Sequence, residues 1–346
     1  MSGGVDSSVA AALLKKDGFE VIGVTLNLFA AEKGGVACCG AADSGARARA
    51  VCDALGVRHY LKNAGDIFKK KVIDEFIKSY AAGYTPNPCV DCNRFVKFAY
   101  LFDLARAFGA EYLATGHYAR VEKVQSVFQL LRGCDPLKDQ SYFLYCLSRE
   151  QLPHILFPLG ALAKTEVRKL AMALVLPAAG AKESHDICFV GGGDYTGYLR
   201  KKGVTPRPGR IVDSRGKTLG RHQGFFNFTI GQRRGLGVYG NGRLYVTALN
   251  PELNEVVLGG LDEACFGKFS ATGVNWLAEK PAAGERVSVQ IRYRHKPVPC
   301  RTVSSEGADF SGVFEEPQFA PARGQSLVFY DGDRVLGGGV VSEVRR

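Results

Sequence analysis

No stretch of this chain approaches the roughly 18 consecutive apolar residues of a membrane-crossing helix, and no signal peptide is read ahead of its first motif. A helical membrane protein is therefore excluded, and the cytoplasm, with no membrane partner, is the expected compartment. There is no internal repeat and no low-complexity tract, which excludes solenoids and fibrous proteins. The ten cysteines lack the pattern of a small secreted domain, so they are expected as mostly reduced thiols, some chemically active. No Gly-Lys-Ser/Thr closes the glycine-rich segment at the start of the chain, which excludes a Walker A loop. What is present is a chain of 346 residues, 46% apolar and 23% charged, enough for two or three globular domains. Lys and Arg number 45 against 34 Asp and Glu, a net +11 that favours a polyanionic partner such as nucleic acid.

The most informative segment is Ser2-Gly3-Gly4-Val5-Asp6-Ser7-Ser8, which runs into the apolar stretch 9–14. Adjacent glycines let backbone N–H groups converge on an anion. A helix starting there aims its dipole and its unpaired N–H groups at the same point. The segment matches the pyrophosphate loop of enzymes that split ATP into AMP and pyrophosphate.

The first third alternates helical and extended patterns. Helices are expected over 9–14, 45–55, 67–80 and 94–108, and strands over 20–29, 58–61 and 112–115. This is an α/β pattern with a parallel sheet, in which ligands bind at the carboxyl ends of strands. Residues 150–174 read as two helices broken near 158–160. From about Asp194, Gly and Pro become frequent and short alternating runs replace helices. Over 287–294, Val287, Val289, Ile291 and Tyr293 alternate with Ser288, Gln290, Arg292 and Arg294, a strand with the arginines on its polar face. The last 80 or so residues are expected to form a small antiparallel barrel or sandwich. The domains are set at 1–193, 194–262 and 263–346.

Two cysteine segments carry candidate chemistry. Thr85-Pro86-Asn87-Pro88-Cys89-Val90-Asp91-Cys92-Asn93 is a turn-rich loop ahead of the helix expected from Arg94. A thiol at a helix N-terminus is nucleophilic near neutral pH, because the dipole favours its thiolate. Glu183-Ser184-His185-Asp186-Ile187-Cys188-Phe189 supplies a second loop cysteine, followed by Gly191-Gly192-Gly193. The remaining cysteines, Cys38 and Cys39 among them, read as packing or incidental residues.

With these motifs the chain resembles the tRNA-specific 2-thiouridylases, the bacterial enzymes that thiolate the wobble uridine of certain tRNAs. The resemblance runs nearly the whole length through SGGVDSS (2–8), TPNPCVDCN (85–93), ATGHYAR (114–120), KDQSYFLY (138–145), SHDICF (184–189), TIGQRRGLG (229–237), RYRH (292–295) and GQSLVFY (324–330). It implies a pyrophosphate-loop α/β domain with a helical tRNA-binding insertion, a small central β-rich domain and a C-terminal antiparallel tRNA-binding barrel. It implies ATP, with Mg2+, at Ser2, Gly3, Gly4, Val5, Asp6, Ser7 and Ser8, with Leu26 and Gly116 lining the nucleotide pocket. Cys188 falls in the persulfide position and Cys92 in the nucleophile position, and the two form a disulfide in the implied cycle. Asn87, Pro88 and Cys89 match the loop that touches the target base. His117, Lys138, Asp139, Gln140, Arg292, Tyr293 and Gln325 match tRNA-binding positions. The implied partners are the anticodon region of tRNA and a cysteine desulfurase or sulfur-relay protein.

Alternatives stay open at this level. Cys89, Cys92 and Cys188 could instead hold a 4Fe–4S cluster that binds sulfide. An ATP-dependent ligase with the same loop, or a non-catalytic tRNA-binding protein, would also account for part of the pattern. The resemblance further implies a short apolar strand ahead of the loop, where this sequence opens directly on it. The expectation is an unpaired sheet edge and a weaker ATP site, relieved by adding such a strand.

Overall fold

The computed structural model describes residues 1–29, 42–181, 187–238 and 242–346, without the side chains of 42 and 43. Cys38, Cys39 and residues 183–186 of the second cysteine loop lie outside the described residues. The chain divides into two compact units. One comprises 1–73, 88–194 and 333–335, the other 74–87, 195–332 and 336–346.

The first unit is the α/β part. Helix α1 (Val5–Lys16) buries Val9, Ala10, Ala11, Ala12 and Leu14, so the apolar run faces packed protein almost all round. Its core partners are Tyr118, Leu159, Val167, Ala171 and Leu176. Full burial of a side chain such as Val9 stabilises by about 1.5–3 kcal/mol. The helix stops at Gly18, whose φ of +87° suits glycine. There Phe19 N donates to Leu14 O and Gly18 N to Lys15 O, which satisfies the last carbonyls. Strand β1 (Ile22–Asn27) pairs in parallel with β2 (Arg58–Asn63) across helix α2 (Ala42–Leu55). Met1 lies beside β1: its amino group donates to Val24 O, and its carbonyl accepts from Thr25 Oγ1 at 2.8 Å. A second parallel pair joins β3 (Leu113–Ala114) to β6 (Ile155–Leu156). The expected parallel sheet is thus present as two separate parallel pairs among the described residues.

Two local expectations are corrected. Residues 150–162 hold one 3-10 turn (Leu152–His154) and strand β6 rather than a first α-helix, and the α-helix there is Lys164–Ala173. The cysteine-bearing helix starts at Pro88, not Arg94, and runs through Pro88–Asp91, a wide-wound stretch Cys92–Tyr100 and Leu101–Ala107. Proline's fixed φ suits a first helical turn, so Pro88 opens the helix instead of ending a loop. A hairpin of β4 (Ala119–Val124) and β5 (Val127–Arg132) begins within the ATGHYAR segment, turning at Gln125 and Ser126 with φ of +46° and +70°.

The second unit is nearly all β. Strands β7 (Gly209–Asp213), β8 (Thr218–His222), β9 (Tyr245–Asn250) and β10 (Glu255–Gly259) form a sheet in the order β8-β7-β10-β9. Ile211, Val246, Val256 and Leu258 pack with Phe228 and Leu236 beneath it. Strands β11 (Cys265–Trp276), β12 (Arg286–Gln290), β13 (Val298–Glu306), β14 (Asp309–Phe319), β15 (Ser326–Asp331) and β16 (Arg334–Arg345) pair in the order β11-β14-β13-β12-β15-β16, and β16 returns to β11. The barrel therefore leaves no open edge. Its interior is aromatic: the rings of Trp276 and Phe329 stack at 5.0 Å, and Phe310 lies 4.5 Å from Phe329.

The strand expected over 287–294 ends at Gln290. Val287, Val289 and Ile291 are buried as the alternation requires, but 292–295 is a turn. Gln290 Nε2 donates to the carbonyls of Arg292 and Tyr293 at 3.0 and 2.6 Å, taking acceptors a continuing ladder would use. Arg292 and Arg294 are thus not on a strand's polar face. The Arg292 guanidinium binds the backbone carbonyls of Ile230 and Ala320.

Candidate active site

The glycine-rich loop is shaped by contacts that only glycine permits. Gly3 has φ of +73°, and a Cβ there would lie 2.2 Å from Ser44 O of α2. A Cβ on Gly116 would lie 2.8 Å from Asp6 C and 2.9 Å from Ser7 N, so Gly116 packs directly on the loop backbone. The hydroxyls order the turn: Ser2 N donates to Ser7 Oγ at 3.1 Å, and Ser8 Oγ donates to Gly4 O at 2.9 Å. Helix α1 begins at the next residue, Val5, with its first N–H groups at the loop.

Asp6 is held by two groups that the sequence reading missed. Its Oδ1 accepts from Lys164 Nζ at 2.5 Å and from Tyr118 Oη at 2.8 Å. The Lys164 side chain is 9% exposed and that of Asp6 36%. The buried ammonium thus offsets the Asp6 carboxylate in the first turn of α1, and ties the loop to residues 112 and 158 positions away. One signal was available. Lys164 is the first residue of its helix, where a cation opposes the dipole, so it needs a separate anionic partner.

Cys89 is exposed and Cys92 buried, on successive turns of one helical stretch. Cys89, in the first turn, stands where the dipole acts most strongly, and Cys92 begins the next turn. Cys188 is half-buried on a turn closed by Val190 N donating to Ile187 O at 2.9 Å. The next residue, Phe189, is buried and meets Phe68 edge-on at 5.8 Å. Helix Gly65–Phe68 in turn packs on the stretch bearing Cys92. Gly192 and Gly193, with φ of +67° and +74°, follow this anchor. All three cysteines belong to the same compact unit as the glycine-rich loop.

Among the described residues, no three His, Cys, Asp or Glu side chains come together as a metal-binding group. Cys89, Cys92 and Cys188 are thus not gathered into a ligand set for a 4Fe–4S cluster among the described residues.

Residues 1–192 match the family described as tRNA methyl transferase HUP domain, 198–260 the tRNA methyl transferase PRC-barrel domain, and 266–341 the aminomethyltransferase beta-barrel domain. The chain is 44% identical over 344 residues to the tRNA-specific 2-thiouridylase MnmA 1 of Syntrophus aciditrophicus (strain SB), covering 99% of this chain and 91% of that one. It is 45% identical over 348 residues to the tRNA-specific 2-thiouridylase MnmA of Geobacter metallireducens (98% and 94%). The chain belongs to the tRNA-specific 2-thiouridylase family. The family is one of sulfurtransferases, so the relatives' names specify thiolation where the domain names speak of methyl transfer. A solved chain described as a predicted tRNA methyltransferase subunit from Methanocaldococcus jannaschii matches 49% of this chain and 72% of its own, with 22% identity and a TM-score of 0.31, too low to carry an argument.

The other positions implied by the thiouridylase resemblance fall in varied settings. His117 is buried between Phe98 and Phe157 at 5.7 and 6.0 Å. Its Nε2 lies 3.3 Å from Lys97 Nζ and its Nδ1 2.7 Å from Thr115 Oγ1. An ammonium can only donate, so Nε2 accepts and Nδ1 carries the proton. Burial, then the Lys97 charge, holds the imidazole pKa well below its ordinary value, which keeps it neutral. Asp139 is buried and accepts from Arg132 Nη1, Gly133 N, Ser141 N and Ser141 Oγ at 2.9–3.0 Å, so it orders its own loop. Gln140 Oε1 accepts from Tyr118 N at 3.0 Å, and Lys138 beside it is half-buried. Leu26 is half-buried in β1. Gln325 Nε2 donates to Thr85 O at 2.9 Å, while Arg323 lies 4.8 Å over the Tyr84 ring and Thr85 N donates to Arg323 O. Within the second unit these barrel residues thus brace the loop segment ending at Asn87, while Tyr293 lies in the 292–295 turn.

Proposed function

We propose that this protein carries out ATP-dependent 2-thiolation of the wobble uridine of tRNA. The observation that carries the reading is the presence, in one compact unit, of a built pyrophosphate-type loop and of Cys92 and Cys188. Mg-ATP enters as substrate, its phosphates taken by the N–H groups of Gly3, Gly4 and Val5 and the hydroxyls of Ser2 and Ser7, with Leu26 lining the nucleotide pocket. The uridine O2 attacks the α-phosphorus and pyrophosphate leaves, which converts a poor leaving group into AMP.

Sulfur arrives as a persulfide on Cys188, loaded by a cysteine desulfurase or sulfur-relay protein. Its terminal sulfur attacks C2 and AMP departs. The Cys92 thiolate then attacks Cys188 Sγ. The S–S bond to the uridine sulfur breaks, its electron pair stays on that sulfur as the thiocarbonyl, and a Cys92–Cys188 disulfide forms. A thiol reductant restores the dithiol, and the glycines after Cys188 supply the freedom for its approach to Cys92. Asn87, Pro88 and exposed Cys89 meet the target base, which leaves its stack to reach the site. His117, Lys138, Asp139, Gln140, Arg292, Tyr293 and Gln325 shape the tRNA surface, the engaged ones by holding loops in place.

The test is nucleoside mass spectrometry of unmodified bulk tRNA incubated with the protein, Mg-ATP, a cysteine desulfurase and cysteine. The expected result is 2-thiouridine that requires ATP and is lost in Cys188→Ser. Thiolation that persists in Cys188→Ser overturns the persulfide route. Pyrophosphate release driven by a small amine without tRNA points to a ligase.

A further inference from the structure

The positive charge of the chain is concentrated where the functional reading places no residue. Residues 198–260 hold eleven Lys and Arg against three Asp and Glu, a net +8 out of the chain's +11. The barrel region 263–346 holds eleven against ten, a net +1. The barrel also neutralises its charges internally: Arg286 binds Glu315 at 2.7 and 2.9 Å, and Arg345 binds Glu343 at 2.8 Å.

The hairpin of β7 and β8 displays this charge. Arg210 and Arg221 stand directly opposite each other in its antiparallel register, both exposed, while their neighbour Ile211 points into the core. Like charges opposite each other destabilise a sheet. The Glu255 carboxylate binds the Arg210 guanidinium on the side away from Arg221 and so relieves the pair in part. The turn adds Arg215 and Lys217, both exposed. Its acid, Asp213, is turned onto the backbone: Oδ1 accepts from Arg215 N and Lys217 N at 2.9 Å each. That carboxylate shapes the turn that presents the two cations. A folded hairpin that keeps such a row at a cost in stability fits a ligand that supplies regularly spaced negative charge.

We infer that the β7–β8 hairpin of the central domain is a docking surface for the phosphate backbone of the tRNA, through Arg215, Lys217 and Arg221. This rests on the tRNA reading above and goes beyond it, since no residue of 194–262 is otherwise given an RNA contact. Each phosphate neutralised releases counterions, so such a surface contributes salt-sensitive and sequence-independent affinity.

The experiment measures the dissociation constant of unmodified bulk tRNA against salt concentration for three proteins. These are the unaltered chain, a hairpin variant (Arg215→Gln, Lys217→Gln, Arg221→Gln) and a barrel variant (Arg294→Gln, Lys296→Gln). The hairpin variant is expected to bind at least about tenfold more weakly near 0.1 M salt, with a log–log slope lower by about one for each phosphate that is no longer neutralised. The barrel variant is expected to change both much less. Arg221→Gln alone relieves the like-charge pair, so it is expected to melt no lower than the unaltered protein and still to weaken binding. A hairpin variant with unchanged affinity and slope, beside an unaltered chain that binds, overturns this inference alone. An unaltered chain that does not bind tRNA overturns the tRNA reading and this inference with it. Loss of binding to anionic phospholipid vesicles with tRNA affinity unchanged would assign the face to a membrane and likewise overturn it.

Discussion

The glycine-rich loop and the Cys188 turn belong to the same unit but are built in opposite ways. The loop is fixed from several sides, by the close approach of Gly3 to α2, of Gly116 to Asp6 and Ser7, and by Lys164 and Tyr118 on the Asp6 carboxylate. The Cys188 turn is anchored through its neighbour Phe189 on Phe68 and runs into glycines with positive φ. In the function proposed above, adenylation requires a phosphate oriented before reaction, and a preformed cradle suits that chemistry. In the same proposal Cys188 carries sulfur from a donor protein to the substrate, and one anchor and a permissive backbone suit that task.

The largest expected effect that could break this contrast comes from the glycine at 116. Gly116→Ala forces a methyl group into the backbone of Asp6 and Ser7, and should displace the loop. ATP affinity should fall by about 100-fold or more, in line with the cost of overpacking a tight site at about 1–3 kcal/mol plus the weakened hydrogen bonds to phosphate. Equilibrium binding of a fluorescent ATP analogue checks this, and unchanged affinity would show the loop to be more yielding than its packing suggests.

Next is Lys164→Gln. Breaking a buried ion pair costs about 3–5 kcal/mol, and the partial exposure of Asp6 lowers the expectation to about 2 kcal/mol, or about 30-fold in ATP binding. The double variant Lys164→Gln, Asp6→Asn should recover part of that loss, because it removes the stranded carboxylate. A double-mutant cycle on ATP affinity reads the coupling, and strictly additive losses would argue against it.

The smallest effect sharpens the comparison through pH. His117 is neutral in the fold with its pKa held well below 6.5 by burial and then by Lys97. The unfolded chain takes up a proton near 6.5 that the folded chain refuses. Stability is therefore fully present above that pH and lost as pH falls towards the folded value, by about 1 kcal/mol per pH unit. His59 and His222, also lowered by burial, act in the same direction. Denaturant unfolding at pH 7.5, 6.5 and 5.5 should show the fall, and His117→Gln should flatten it.

Much of this contrast was legible in the residues. The tight turn of the loop was readable because its glycine and hydroxyl spacing suits close backbone packing ahead of a helix, and β1, β2 and the barrel followed from local periodicity. Lys164 was readable only as a cation opposing its helix dipole; that its anion is Asp6, 158 positions away, was not. Strand β6 is two residues long and exists because β3 offers it a partner, which no local propensity records. The end of the 287–294 strand turned on one side-chain amide, that of Gln290, capturing two carbonyls. The helix start at Pro88 was misplaced because a segment holding two prolines reads as loop, although proline also favours a first helical turn.

The central claim is that the loop and Cys188 perform separable half-reactions. Isotope exchange between pyrophosphate and ATP, measured with unmodified tRNA and Cys188→Ser, tests it most directly. The account predicts that exchange continues at close to the unaltered rate while no 2-thiouridine forms. Loss of exchange together with thiolation would mean that Cys188 takes part in activation itself, and would contradict it.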